Sequence, residues 1–317
     1  MRPLPDLRHR GLIAGGIACA TSYAGAQQFP TRPVRLLVGF PPGGGVDVVA
    51  RLLSARLPAI LGQSVIVENL TGASGSIAAA AVSRSAPDGY TLLMGEAGML
   101  IAPHLNPKLN FDPLQSFTPV AGAFQTPLMI VAHDAVNVSG PREFLALLKA
   151  KPGQYSYATP GVGTVQHLAM EVVKARTATF ILHIPYRGAA QIVPDVISGE
   201  VSFAVLTVAA AMQQVRNGRL KAIAMLSAVR PPGTEGVPAM GDALPGFDVA
   251  VRIFVLAPAG TPASIRDRLS DAMRAVLSSD ELSQAAAQQG AITTYLPSAA
   301  LASELVAQSS VWQRVIM

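Results

Sequence analysis

The sequence predicts an α/β fold of two parallel-sheet units, and three observations carry that expectation. Apolar strand-like runs alternate with glycine turns and helix-periodic stretches through the first third of the chain. The same rhythm restarts at about residue 127. A helical tail follows residue 262, long enough to fold back on the first unit. Strand-turn-helix alternation signals parallel strands with helices on both faces.

In the first unit, VRLLVGF (34–40) reads as a strand broken only by Arg35, 41–45 as a turn and 47–61 as a helix by its apolar spacing. Residues 64–68 form a second strand, 72–76 a small-residue turn, 77–85 an Ala-rich helix and 90–95 a third strand. The second unit offers strands at 127–132, 155–159, 180–184, 201–206 and 220–226, with helices at 141–150, 164–176 and 189–197. Residues 230–246 are rich in Pro and Gly and are expected to wrap the surface. The apolar run 251–257 and the turn 258–262 precede helices at 263–278, 281–289 and 298–315. Leu269, Met273 and Val276 share one face of the first of these, and Leu301, Leu305 and Trp312 recur at helical spacing in the last. A tail that returns makes the first lobe discontinuous, 27–125 with 250–317, and leaves 126–249 as the second lobe.

The first 26 residues read as a cleaved secretory leader. Arg2, Arg8 and Arg10 supply a positive start, 11–21 is a short apolar run, and Ala24-Gly25-Ala26 is a small-residue cleavage site. The apolar run is far shorter than the roughly 20 residues that span a bilayer. Export to the periplasm with cleavage near Ala26 is the expectation. The only cysteine, Cys19, lies inside the leader, so the exported chain can form no disulfide.

Half of the residues are apolar and 14% are charged, which suits a packed globular protein. The net charge is +5, reduced to about +3 without the leader, a mild bias towards anions. No Lys/Arg run is dense enough for nucleic acid. The five histidines show no metal-ligand spacing, and no cofactor motif is present.

Two glycine turns stand out, each between a strand and a helix. The first is Phe40-Pro41-Pro42-Gly43-Gly44-Gly45-Val46-Asp47. Glycines allow a sharp turn and close approach of a ligand, and the helix start offers unpaired N–H groups to an anion. Asp47 is open to two readings, a helix cap or a ligand contact. The second is Gly161-Val162-Gly163-Thr164-Val165-Gln166-His167. Thr164 caps the helix or donates to an anion; His167 faces the cleft or the core. Neither turn is a nucleotide motif: one lacks the third glycine of G-x-G-x-x-G, the other the Lys-Ser/Thr of a P-loop. Two anion sites in two units suggest a ligand gripped from both sides. The enzyme case is thin. Gly72-Ala73-Ser74-Gly75-Ser76 resembles a nucleophile elbow but ends on Ser where G-x-S-x-G needs Gly.

Several segments in order resemble the Bug family, the substrate-binding receptors of tripartite tricarboxylate transporters. They are FPTRPVRLLVGFPPGGGVD (29–47), VENLTGASGSIAAAAV (67–82), APDGYTLLMG (86–95), FDPLQSFTPV (111–120), YATPGVGTVQHL (157–168), HIPYRGAAQ (183–191), GRLKAIA (218–224) and APAGTP (257–262). The resemblance implies a two-lobed type II periplasmic-binding-protein fold with a ligand cleft between lobes. It implies a carboxylate held by backbone N–H groups of the two turns: Pro42, Gly43, Gly44, Val46 and Asp47 in the first, Gly161, Gly163, Thr164 and His167 in the second. Tyr186 either lines the same cleft or packs in the core.

This chain departs from the family pattern at Val46, where Ser or Thr is common, and at Glu96, which follows the third strand where small polar residues are usual. Ser202 stands where an Asp is common, and Arg252 near the lobe crossing where an aromatic is. Glu96 would repel a second carboxylate, or accept an ammonium or hydroxyl. Arg252 in an apolar run needs a partner: the distal carboxylate of a ligand, or Glu96, Asp248 or another acid. The expected function is a monomeric, non-enzymatic receptor that passes a small organic carboxylate to membrane transporter subunits. The alternatives are a ligand sensor for a signalling partner without transport, and a hydrolase using Ser74 or Ser76.

Overall fold

A computed structural model describes residues 29–105 and 109–316. The leader expectation, residues 1–26, lies outside the described residues. The first unit opens with β1 (Val34–Val38), where every residue but Arg35 is buried. A strand covered by helices on both faces needs such a continuous apolar run. The exposed Arg35 forks onto Glu68 of the neighbouring strand at 2.8 and 2.7 Å. The helix α1 (Gly45–Ser54) buries Val46, Val49, Ala50 and Leu53, the i, i+3, i+4, i+7 stripe of an amphipathic helix. The short α2 (Pro58–Leu61) ends on Gly62, at φ +74°. Then come β2 (Val65–Asn69), α3 (Ser76–Ser83), β3 (Thr91–Glu96) and α4 (Gly98–Leu105). The sequence read no helix at α4.

The strand β4 (Phe117–Ala132) is 16 residues long, although only its end, from residue 127, is strand-like in sequence. Pro119 and Gly122 disguise the rest, and the pairing register slips beside both. The second unit continues with α5 (Pro141–Ala150), β5 (Ser156–Thr159), α6 (Val165–Thr177), β6 (Leu182–Pro185), α7 (Ala189–Ser198), β7 (Phe203–Thr207), α8 (Val208–Arg216) and β8 (Lys221–Met225). The chain returns through β9 (Ala250–Pro258), α9 (Ala263–Leu277), α10 (Asp280–Gln288), β10 (Ile292–Pro297) and α11 (Ser298–Ile316).

One sheet runs β2-β1-β3-β9-β4, with β10 also on β4. Its β1, β2 and β3 are parallel, while β9 runs antiparallel to both β3 and β4. The other sheet runs β4-β7-β5-β6, with β8 also on β4. β4 thus belongs to both: residues 117–127 pair with β9, and 128–132 with β7 and β8. In its second half Leu128, Ile130 and Ala132 join the main apolar core. Met129 and Val131 point the other way, into a second cluster with Ile192, Val196 and Leu206. Both faces are covered, as period-two alternation in an all-apolar strand requires. No helix among the described residues is long and apolar enough to cross a membrane.

Candidate functional site

The carboxyl ends of β1 and β5 run into the two glycine turns. In the first, Gly43 sits at φ +79°, which a side chain would strain. Its N–H donates to Asp47 Oδ2 at 2.9 Å. The Asp47 carboxylate also accepts from Arg51 at 2.9 and 3.0 Å and from Asn69 Nδ2 at 2.8 Å. Asn69 Nδ2 lies 2.9 Å from the Phe40 carbonyl too, fastening the loop at a second point. Burial alone would raise the Asp47 pKa; Arg51, the Gly43 N–H and Asn69 outweigh it and hold the carboxyl below its ordinary range. Asp47 is 1% exposed and its acceptor sites face protein donors, so the geometry is that of a brace for the turn. The first intrahelical bond of α1 runs from Val48 N–H to Gly44 O at 2.9 Å. The N–H groups of Gly45 and Val46 precede it and stand free of the helix ladder.

The second turn repeats this plan. Gly163 also sits at φ +79°, and its N–H donates to His167 Nδ1 at 3.3 Å. Thr164 caps α6, accepting from the His167 N–H at 3.3 Å and donating to Gly161 O at 2.8 Å. The N–H groups of Val165 and Gln166 precede the first bond of the helix, Leu168 N–H to Thr164 O at 3.0 Å. Behind the turn the His167 ring stacks on His183 with centroids 4.2 Å apart, and His183 on Tyr157 at 4.8 Å. Burial lowers the pKa of His167, with Glu171 opposing. Burial, then His167, lowers that of His183 to about 4. A neutral His167 is what its bond requires, because Nδ1 must accept.

A cavity of about 630 Å³ lies beside the second turn, lined by Gly161, Val162, Gly163 and Tyr186 on one side and by Gly39, Phe40, Ser74 and Gly98 on the other. The sides touch across it. Ser74 Oγ donates to Val162 O at 2.7 Å. A Cβ added to Gly45 would stand 3.2 Å from Thr207 Oγ1, and one on Gly188 3.1 Å from Pro41. Glycine at these places lets the two units close on each other. A smaller cavity of about 40 Å³ adjoins Pro42, Gly44 and Val46 of the first turn.

Glu96 ends β3, is 4% exposed and lines the smaller cavity. Burial raises its pKa to about 7, with the nearby Gly98 N–H pulling the other way; no hydrogen bond reaches Oε1. The Tyr186 hydroxyl donates to Asp195 Oδ2 at 2.6 Å; burial and that carboxylate push its pKa up to about 12. Two expected residues are not brought to the turns. Ser202 precedes β7, whose far end, Thr207, reaches the smaller cavity. Five residues of strand, roughly 17 Å, separate the two. Arg252 donates to Glu304 Oε1 and Thr294 Oγ1, both at 2.8 Å, and lines neither cavity. Its partner is an acid 52 residues away on α11, not Glu96 or Asp248.

Sequence reasoning missed Thr126, Gln166 and Thr207, which line the smaller cavity. Gln166 lay inside a quoted motif; its place after the Thr164 cap was the available signal. The serine elbow has no catalytic base: Ser74 donates to a carbonyl, and no histidine bonds it among the described residues. Nor do the described residues gather three metal-ligating side chains.

Residues 49–317 match the family model described as the tripartite tricarboxylate transporter family receptor. The chain is similar to the solved periplasmic binding protein BugD, with 30% identity, a TM-score of 0.84 and coverage of 90% of this chain and 97% of that one. It is similar to Rpa4515 of R. palustris, solved with adipate, at 29% identity and TM-score 0.86, covering 90% and 97%. MatC (Rpa3494) from Rhodopseudomonas palustris, solved with bound malate, is 30% identical with TM-score 0.84, covering 91% and 100%. The fold is the two-lobed α/β receptor fold expected from the sequence, and members of the matched family are solute-binding receptors, not enzymes. With two braced turns bordering adjoining cavities and a family match over most of its length, the chain belongs to the tripartite tricarboxylate transporter receptor family.

Proposed function

We propose that this chain is a periplasmic receptor that captures a small organic carboxylate between its lobes and presents it to the membrane subunits of a tripartite tricarboxylate transporter. One observation carries the reading. Two turns of the same geometry, one from each sheet, open helices whose first N–H groups have no intrahelical partner, and both border the cavities between the lobes. The carboxylate rests on the N–H groups of Gly45, Val46, Val165 and Gln166. Pro42, Gly43, Gly44, Gly161, Gly163 and Thr164 shape the loops, Asp47 and His167 brace them, and Tyr186 walls the cavity. Backbone donors accept any carboxylate, in keeping with malate and adipate in similar receptors. The lobes are 27–125 with 250–317, and 126–249; the leader 1–26 directs export.

The test is the melting temperature of residues 27–317 against monocarboxylates, dicarboxylates, tricarboxylates, aromatic acids and amino acids. A ligand at 100 times its Kd adds about 2.7 kcal/mol, a shift of several degrees in a chain of this size. A shift confined to one carboxylate class supports the reading. No shift, with no carried ligand found by mass spectrometry of the denatured protein, overturns it.

A further inference from the structure

The smaller cavity holds an unsatisfied chemical demand. Glu96 Oε1, Thr126 Oγ1 and Gln166 Oε1 are buried without a hydrogen-bond partner, and all three side chains line it. Their residues are 4%, 0% and 6% exposed. They come from three separate places: the end of β3, the middle of β4 and the first turn of α6. Native proteins satisfy nearly all buried polar atoms, so three orphans in one cavity mark a place for a polar group. A carboxylate oxygen and an amide oxygen only accept, and a hydroxyl does either. The missing group must therefore donate at least twice. The neighbouring Val46, Leu206, Val251 and Ile253 are apolar, so a cation there would meet the Glu96 charge in a medium that screens it little. An ammonium has three donors, no acceptor and a positive charge, and a cavity of about 40 Å³ admits one such group.

The second turn lies alongside. A Cβ built on Gly98 would stand 2.2 Å from Glu96 Oε1 and 3.5 Å from Gly163 O. The orphaned oxygen is therefore one residue's width from the turn that takes the carboxylate. Resting on the carboxylate reading above, we propose that the ligand carries a protonated nitrogen close to its carboxylate, as in an amino acid, and that Glu96, Thr126 and Gln166 bind that nitrogen.

Matched pairs that differ only in the amino group test this: alanine with propionate, aspartate with succinate, glutamate with glutarate. Calorimetric titration of the exported chain should show the amino member of at least one pair binding at least tenfold tighter. In Glu96→Gln that ratio should fall towards one. Gln166→Met, with no amide, should lower it independently should the first variant fold poorly. Des-amino acids binding as tightly as their partners, or a ratio that survives both substitutions, overturns the nitrogen subsite and leaves the carboxylate reading standing. Binding of no member of any pair overturns the nitrogen subsite, and the wider panel of acids above then decides the carboxylate reading by itself.

Discussion

Asp47 and His167 are counterparts: each accepts the N–H of a glycine four residues earlier, Gly43 at 2.9 Å and Gly163 at 3.3 Å, and both glycines sit at φ +79°. One brace is a carboxylate clamped by Arg51 and Asn69. The other is a neutral imidazole. The turns share a shape and differ in how they meet acid.

The second turn should loosen first as pH falls. His167 and His183 have folded pKa values below the ordinary 6.5, His183 at about 4. Below 6.5 the unfolded chain takes protons that the folded chain refuses, so stability present above 6.5 is lost on the way down to about 4. Thermal melts between pH 7.5 and 4 should show that loss. In His167→Gln, whose amide oxygen still accepts without titrating, the slope should be shallower.

Glu96 acts in the opposite sense. Its folded pKa, about 7, lies above the ordinary 4.5. Its contribution is full below 4.5 and disappears as pH rises through 7, because the folded state resists ionisation. Glu96→Gln should therefore raise stability at pH 8 by up to about 3 kcal/mol and change little at pH 4. Urea midpoints at the two pH values check this; equal effects at both would contradict it.

Asp47→Ala leaves Arg51, Asn69 and the Gly43 N–H short of an acceptor. A loss of about 2 kcal/mol is expected, read as a lower urea midpoint at constant slope. Affinity for the carboxylate should fall at least tenfold as the turn relaxes. Full affinity would mean that the Gly43 loop holds its shape without the brace.

Arg252→Leu should cost stability while leaving carboxylate affinity unaltered, since its donors meet Glu304 and Thr294. Breaking one partner of a half-buried pair strands the other, and about 1–3 kcal/mol is expected. Replacing Glu304 with Leu as well should recover part of it. A large drop in affinity with little change in melting would instead place Arg252 on the ligand.

Ser74→Ala removes the hydroxyl that reaches Val162 across the cavity. The stability change should be about 1 kcal/mol or less. Ligand release, followed by stopped-flow fluorescence of Trp312, should quicken if this bond helps to hold the lobes shut.

Local features were legible in the sequence and long-range ones were not. The apolar period of α1, most of the alternation of strands and helices, and the glycines of both turns are written within a few residues; α8 and β10 were not read, and the helix expected over 47–61 is split into α1 and α2. The helix α4 was missed: Gly95 and Gly98 flank its start, and glycine disfavours a helix. Half of β4 was hidden by Pro119 and Gly122, which a strand tolerates where its register slips. Glu304 as the partner of Arg252 depends on α11 returning to the first sheet. The smaller cavity was least legible, because Thr126 and Gln166 matter only through burial without a partner, which no local pattern encodes.

A single strand, β4, is shared by both sheets, so the lobes are not separable folding units. Pulling β4 from one sheet removes the neighbour of β9 and β10; pulling it from the other removes the neighbour of β7 and β8. Unfolding should then be one cooperative event despite two lobes, with amides along residues 117–132 exchanging only on global opening. A cut in the surface loop 230–246 should leave the two fragments associated, held by a backbone ladder that neither lobe owns alone.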